Sequence, residues 1–244
     1  MRPPDHRPPP GGYAAAHRTP PTRAAAVAVQ EELRGRVVAL DQGPAPGAPG
    51  TLVAGVDVAY DDARDAVAAA AVVVDAATLD VVAQATARGP VPFPYVPGLL
   101  AFRELPAALA ALDRLPVAPD LVVCDGYGIA HPRRFGLASH LGVITGLPSI
   151  GVAKNPFGFA VPTPPGAPRG SVAPLVDPDT GEEVGAAVRT RDGVRPVYVS
   201  LGHRVSSAAA CAHVLSLARA YRQPETTRLA DRLCRAELRR PPDA

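Results

Sequence analysis

Between residues 52 and 60 the chain reads LVAGVDVAY, an apolar run with one charge, Asp57, in its middle. Such a run predicts a strand buried on both faces. Residues 66–74 and 79–88 repeat the strand pattern after short turns, so three strands joined as an antiparallel meander are expected. Helical spacing begins near Gly98 and continues through residues 105–115. Pro106 is expected to interrupt it and to leave Glu104 at a break between two helical segments. Residues 121–124, LVVC, form a second unbroken apolar run, ending at Asp125. Gly126 and Gly128 loosen the next turn, Pro132 suits the first turn of a helix, and Leu137, Leu141 and Ile144 give that helix one apolar stripe. Residues 149–153 make a short strand that runs into Lys154. Further strands are expected at 172–176, 183–189 and 196–201, with His203 just past the last, and further helices at 206–222 and 227–239.

Ahead of the first strand, residues 24–40 carry helical spacing, with Val27, Leu33 and Val37 towards a core. Residues 1–23 are rich in Pro, Arg, His and Gly, have no period, and are expected to form a disordered tail. Residues 24–244 then make a single catalytic domain. The element order is that of the ribonuclease H-like folds: α/β, with a mixed central sheet flanked by helices. In that order the first and fourth strands are neighbours at the sheet centre, so Asp57 and Asp125 are expected side by side.

A carboxylate inside an apolar strand is costly unless it is paired or binds a cation. Two aspartates on adjacent strands, with Glu104 from the following helix, make a hard-oxygen site suited to Mg²⁺, with Mn²⁺ as a substitute. Two such ions about 4 Å apart can activate a water and stabilise a leaving oxygen. The plainer reading is three scattered surface charges. In the loop before that helix, Pro94 and Pro97 bracket Tyr95, and a stiff loop presenting a ring can wedge into a base stack. The plainer reading there is a tyrosine packed at the core edge.

Composition changes the picture at one residue. Lys154 is the only lysine and Asn155 the only asparagine, in a chain whose other basic residues are all arginine. A lysine kept under that bias points to a place where a compact point charge is needed, such as a phosphate contact. His131, in the turn after Asp125, is expected to contact phosphate or water. His140 and His213 are expected to be structural, and His6 and His17 to lie in the tail. The 244 residues suffice for one sizeable domain, and a formal charge of +2 permits nucleic acid without demanding it. Three cysteines without C-x-x-C spacing suggest neither disulfides nor zinc, and fit a reducing cytosol. No apolar run reaches membrane-spanning length.

Four blocks, VAGVDVAY, FPYVPGLLAFRE, DGYGIAHPRRFGLASHLGV and PSIGVAK, resemble the endonuclease V family, which acts beside deaminated adenine. VYVSLGH is a weaker fifth block, and EELRGRV near the start also fits. The resemblance covers residues 27–238 and implies Mg²⁺-dependent hydrolysis of the second phosphodiester bond 3′ to deoxyinosine, leaving 3′-hydroxyl and 5′-phosphate ends. It assigns the metal-binding carboxylates to Asp57 and Asp125, with Glu104 as the third acidic member. It places the lesion wedge at Tyr95, flanked by Pro94, Val96 and Pro97, with Gly126 nearby. It gives site roles to His131, Lys154 and His203, and matches Asp120 to the acidic residue ahead of the fourth strand. The chain departs from the family pattern at Leu201, before Gly202-His203, and in the run from Pro224 to Arg228. DNA carrying deaminated bases is the implied partner, and a cytoplasmic monomer the expected form. The alternatives are an inosine-specific endoribonuclease on the same scaffold, an actin-like kinase or ATPase, and a catalytically silent nucleic-acid-binding module.

Overall fold

The structure is a computed structural model that describes residues 11–240. Its centre is an eight-stranded sheet: β1 (Leu52–Asp61), β2 (Ala66–Asp75), β3 (Val81–Pro90), β4 (Leu121–Asp125), β5 (Ser149–Ala153), β6 (Val172–Val176), β7 (Glu183–Val188) and β8 (Val197–His203). The strand order is β3-β2-β1-β4-β5-β8-β7-β6. β1, β2 and β3 form the expected antiparallel meander, and β1, β4 and β5 run parallel through the middle. β8 runs antiparallel to β5. The mixed, ribonuclease H-like sheet thus stands as the alternation of elements predicted.

Helices cover both faces. On one side lie α1 (Gly12–Ala16), α2 (Arg23–Arg34), α3 (Leu100–Asp113) and α4 (Leu137–Thr145), and on the other α5 (Ser207–Leu217) and α6 (Glu225–Arg239). The period of the strands sorts their side chains between the two layers: Ala54, Val56, Val122 and Cys124 face α3, while Val53, Leu121 and Val123 face α5 and α6. Side chains cap two helices, Thr22 accepting from the Ala25 N–H and Ser206 from the Ala209 N–H. Gly55 is required by α6. A Cβ there would lie 2.2 Å from the Thr226 carbonyl carbon, so only glycine lets the start of the helix press onto β1.

Three expectations need correction. The expected tail is structured from residue 11 on: Tyr13 is buried, and the Tyr13 and Ala14 N–H groups donate to the two carboxylate oxygens of Asp113 at 2.7 and 2.9 Å. His17 stacks beside Phe102 and edge-on to His140. Residues 1–10 lie outside the described residues. Secondly, Pro106 does not break α3, which runs unbroken from Leu100 to Asp113. An interior proline costs about 3 kcal/mol, but Leu105, Leu109 and Leu112 bury this helix against the sheet, and packing outweighs propensity. Thirdly, Pro132 opens no helix. Residues 131–136 form an irregular turn in which Arg134 adopts φ +55°, and α4 begins only at Leu137.

Candidate active site

The parallel register pairs Val56 with Cys124, so Asp57 and Asp125 follow one step later at the same end and on the same face of the sheet. That is the carboxyl end of β4, level with the middle of β1, and open α/β sheets hold their ligands at such strand ends. Glu104 arrives from α3, on the opposite face. It is buried, as is its neighbour Arg103, so the pair is no ordinary surface pair. Arg103 lies 4.5 Å from the centre of the Tyr60 ring and bonds Asp62 at 2.6 Å.

Each carboxylate has one protein partner. Asp57 accepts the Val58 N–H at 2.8 Å, Glu104 accepts the Tyr60 hydroxyl at 2.8 Å, and Asp125 binds the Lys154 ammonium at 2.6 Å. Burial raises the Asp57 pKa to about 8, with repulsion from Asp125 and then Glu104 adding to it, against the Val58 hydrogen bond and Lys154. Burial likewise raises Glu104 to about 8, reinforced by Asp125 and opposed by Tyr60 and Arg103. Burial alone would lower Lys154, but the bond to Asp125 holds it above its ordinary value. Among the described residues, no three acidic, histidine or cysteine side chains already converge as a preformed metal cage. The carboxylates are turned towards these internal partners instead.

A fourth acid stands close by. Asp231, on α6, raises the Lys154 pKa, and Cys234 and Arg235 feel both Asp57 and Asp231. The sequence predicts a helix over 227–239 but does not single out Asp231. The signal was indirect: a glycine two residues before Asp57 in a buried strand implies close helix approach, but not which helix.

The Tyr95 loop is held at both ends. Phe93 and Leu99 are buried in a cluster with Phe102, and Tyr95 between them is 67% exposed, so it is not packed at the core edge. The Gly98 carbonyl accepts from Gln30 Nε2, His131 Nε2 and Arg133 Nη2 at 3.1, 2.9 and 2.6 Å. Gln30 was not singled out by sequence reading. His131 is thereby reassigned: its Nδ1 accepts the Arg133 N–H at 3.2 Å, so both ring nitrogens are used within the protein. Burial, with the Arg133 charge, lowers its pKa to about 4, in keeping with the neutral ring this pairing needs. His131 anchors the Tyr95 loop and also lines the cavity beside it.

His203 is not brought to the carboxylates. β8 runs antiparallel to β5, so His203 pairs with Ser149 at the far end of the sheet, while Tyr198 pairs with Ala153 beside Lys154. Its Nδ1 accepts the Val38 N–H. Asp120 is structural as well, clamping β4 to β1 by accepting the Leu52 N–H at 2.9 Å. His140 and His213 are buried, as expected, and His213 bonds the Pro44 carbonyl.

Between the Tyr95 loop and the carboxylates opens a cavity of about 200 Å³, lined by Tyr95, Leu100, Gly126, Tyr127, Leu137 and Phe157. Gly126, with φ +154°, turns the chain directly after Asp125. Gly128 lets this turn press on β8, since a Cβ there would lie 1.9 Å from the Leu201 oxygen.

The endonuclease V family model matches residues 31–232. The chain belongs to the endonuclease V family. The endonuclease V of Streptomyces coelicolor is 68% identical over 230 residues, 94% of either chain. The crystal structure of the Streptomyces avermitilis endonuclease V has a TM-score of 0.84 at 65% identity, over 95% of this chain and 96% of that one. The Ciona intestinalis endonuclease V has a TM-score of 0.74 at 26% identity, over 88% of this chain and 97% of that one. It was solved in complex with a 24mer DNA containing an inosine followed by a ribo-adenosine.

Proposed function

We propose that this member of the endonuclease V family hydrolyses the second phosphodiester bond 3′ to deoxyinosine in DNA, with a divalent cation, and serves the repair of deaminated DNA. The observation that carries this reading is adjacency: Gly126 lines a cavity with room for one base, and the next residue back, Asp125, belongs to the carboxylate cluster. The Ciona relative's complex supports inosine as the base.

Hard oxygens from Asp57, Asp125 and Glu104 suit Mg²⁺, with Mn²⁺ as a substitute, and Asp231 is near enough to assist. Asp57 and Glu104 are raised to about 8, by burial first and by the Asp125 charge after it, so at neutral pH both favour the protonated form and a cation binding there would displace those protons. Such an ion supplies charge for the phosphate oxygens and acidifies a water molecule.

The chain's own residues do the rest. Tyr95 enters the space vacated by the extruded base, whose weak pairing makes extrusion cheaper than for a normal base. The apolar cavity receives that base. Tyr60 fixes the orientation of Glu104. Lys154, whose side chain is 43% exposed, exchanges Asp125 for the scissile phosphate. The water oxygen bonds to phosphorus, the bond from phosphorus to the 3′ oxygen breaks, and that oxygen takes a proton. The ends are a 3′-hydroxyl and a 5′-phosphate.

A second reading, cleavage of inosine-containing RNA, is favoured by the ribo-adenosine after the inosine in the Ciona complex. One assay separates the readings: inosine DNA, matching inosine RNA, unmodified controls and ATP, each with Mg²⁺ or EDTA, with the product ends mapped. Inosine- and cation-dependent nicking of DNA is expected. Cleavage indifferent to inosine, or hydrolysis of ATP instead, would overturn the proposal.

A further inference from the structure

Exposed aromatic rings are few. Among the described residues, Tyr95, Phe157 and Tyr221 are the large exposed aromatics; the first two share a cavity with Gly126, and the third precedes Arg222, which bonds the Lys154 carbonyl. Tyr95 and Phe157 line the base cavity, but Tyr221 does not. It sits on the connection between α5 and α6, 48% exposed.

That connection is stitched to the active site. Arg222 donates to the carbonyls of Lys154, Arg195 and Pro196 at 2.6, 3.0 and 2.8 Å, and Thr190 Oγ1 donates to the Arg222 carbonyl at 2.7 Å. Arg228 lies 4.2 Å from the centre of the Tyr221 ring and is itself fixed by Glu225. One ring face is therefore backed by a held cation, and the ring is offered to solvent on an anchored segment. Arg228 stands one helical turn before Asp231 on α6, so both project from the same side.

These contacts lay out a path. Gly126 lines the cavity, Asp125 pairs with Lys154, the Lys154 carbonyl holds Arg222, and Tyr221 comes next. A strand whose inosine occupies the cavity and whose scissile phosphate lies at the carboxylates continues towards Tyr221. Resting on the cleavage position proposed above, we infer that Tyr221, backed by Arg228, is a stacking platform for a base just 3′ of the cut. It grips the outgoing strand irrespective of sequence, because every base has a face to stack.

The test measures kcat and KM for Tyr221→Ala, Tyr221→Phe and wild type on inosine oligonucleotides. Each of the first two nucleotides 3′ of the cut is present either with its base or as an abasic analogue. Loss of one stacked base by alanine substitution corresponds to about 5- to 150-fold. KM for Tyr221→Ala should rise in that range on the intact oligonucleotide and match wild type on one of the abasic substrates. Tyr221→Phe should keep the wild-type KM. An equal loss on intact and abasic substrates, no loss on any, or loss in Tyr221→Phe equal to that in Tyr221→Ala would overturn the inference. Failure of wild type to cut inosine substrates would instead overturn the functional reading beneath it.

Discussion

Asp57→Asn makes a prediction that runs against the usual effect of altering a residue in a central strand: the metal-free protein should become more stable. A free aspartate has a pKa near 3.9, whereas burial and then Asp125 raise that of Asp57 to about 8. A carboxyl group raised in this way contributes stability that is fully present below about pH 4 and lost as pH rises through about 8. Each pKa unit is worth about 1.4 kcal/mol, so over the roughly three units up to pH 7 the folded state loses on the order of 4 kcal/mol. Asparagine keeps the shape and removes the titration. For a chain of this size 1 kcal/mol moves Tm by about 2–4 °C, so even half of the effect is measurable. The assay is thermal unfolding of both proteins in EDTA across pH 4 to 9. The variant's advantage should be absent near pH 4, grow through neutrality and level off above pH 8. With Mg²⁺ the order should reverse, because wild type gains binding energy that the variant lacks. A Tm difference independent of pH, or a variant less stable than wild type at pH 8 in EDTA, would refute the electrostatic account.

Three further outcomes are expected. Lys154→Arg keeps a charge beside Asp125 but replaces a point charge by a planar fork, and should lose much of the cleavage rate; full activity would show that any cation serves there. Tyr95→Ala should weaken inosine-DNA binding by about 5- to 150-fold, measured in Ca²⁺, because one ring stacked on a base is worth about 1–3 kcal/mol. His131→Ala leaves the Arg133 N–H without its acceptor and the Gly98 carbonyl with one donor fewer, a loss of about 1–3 kcal/mol. It should blunt discrimination between inosine and normal duplex while leaving the Mg²⁺ requirement unchanged, and a shifted Mg²⁺ requirement would return His131 to the chemistry.

The sheet and the Asp57–Asp125 pairing were legible because they rest on local period and element order, both written in contiguous residues. The misplaced features depend on contacts between distant segments. Nothing near Tyr13 announces Asp113 as its partner, so a Pro-rich stretch read as a tail. His203 belongs to a family-like Gly-His pair, but a motif does not state which end of a strand it occupies, and antiparallel pairing with β5 sends it away. His131 has the right position and the wrong partners: its nitrogens serve a glycine carbonyl and a backbone N–H. Asp231 was hidden because its nearness to Lys154 exists only once α6 lies on β1.

The contact between Gly55 and Thr226 also sets an order of events in synthesis. β1, β2 and β4 can pair as soon as they leave the ribosome, but the helix that covers Val53, Val72 and Val74 is encoded far downstream. Until α6 emerges, a nascent chain carries an uncovered apolar sheet face, and Lys154 lacks the neighbouring charge of Asp231. The surface most prone to aggregate is thus the one covered last.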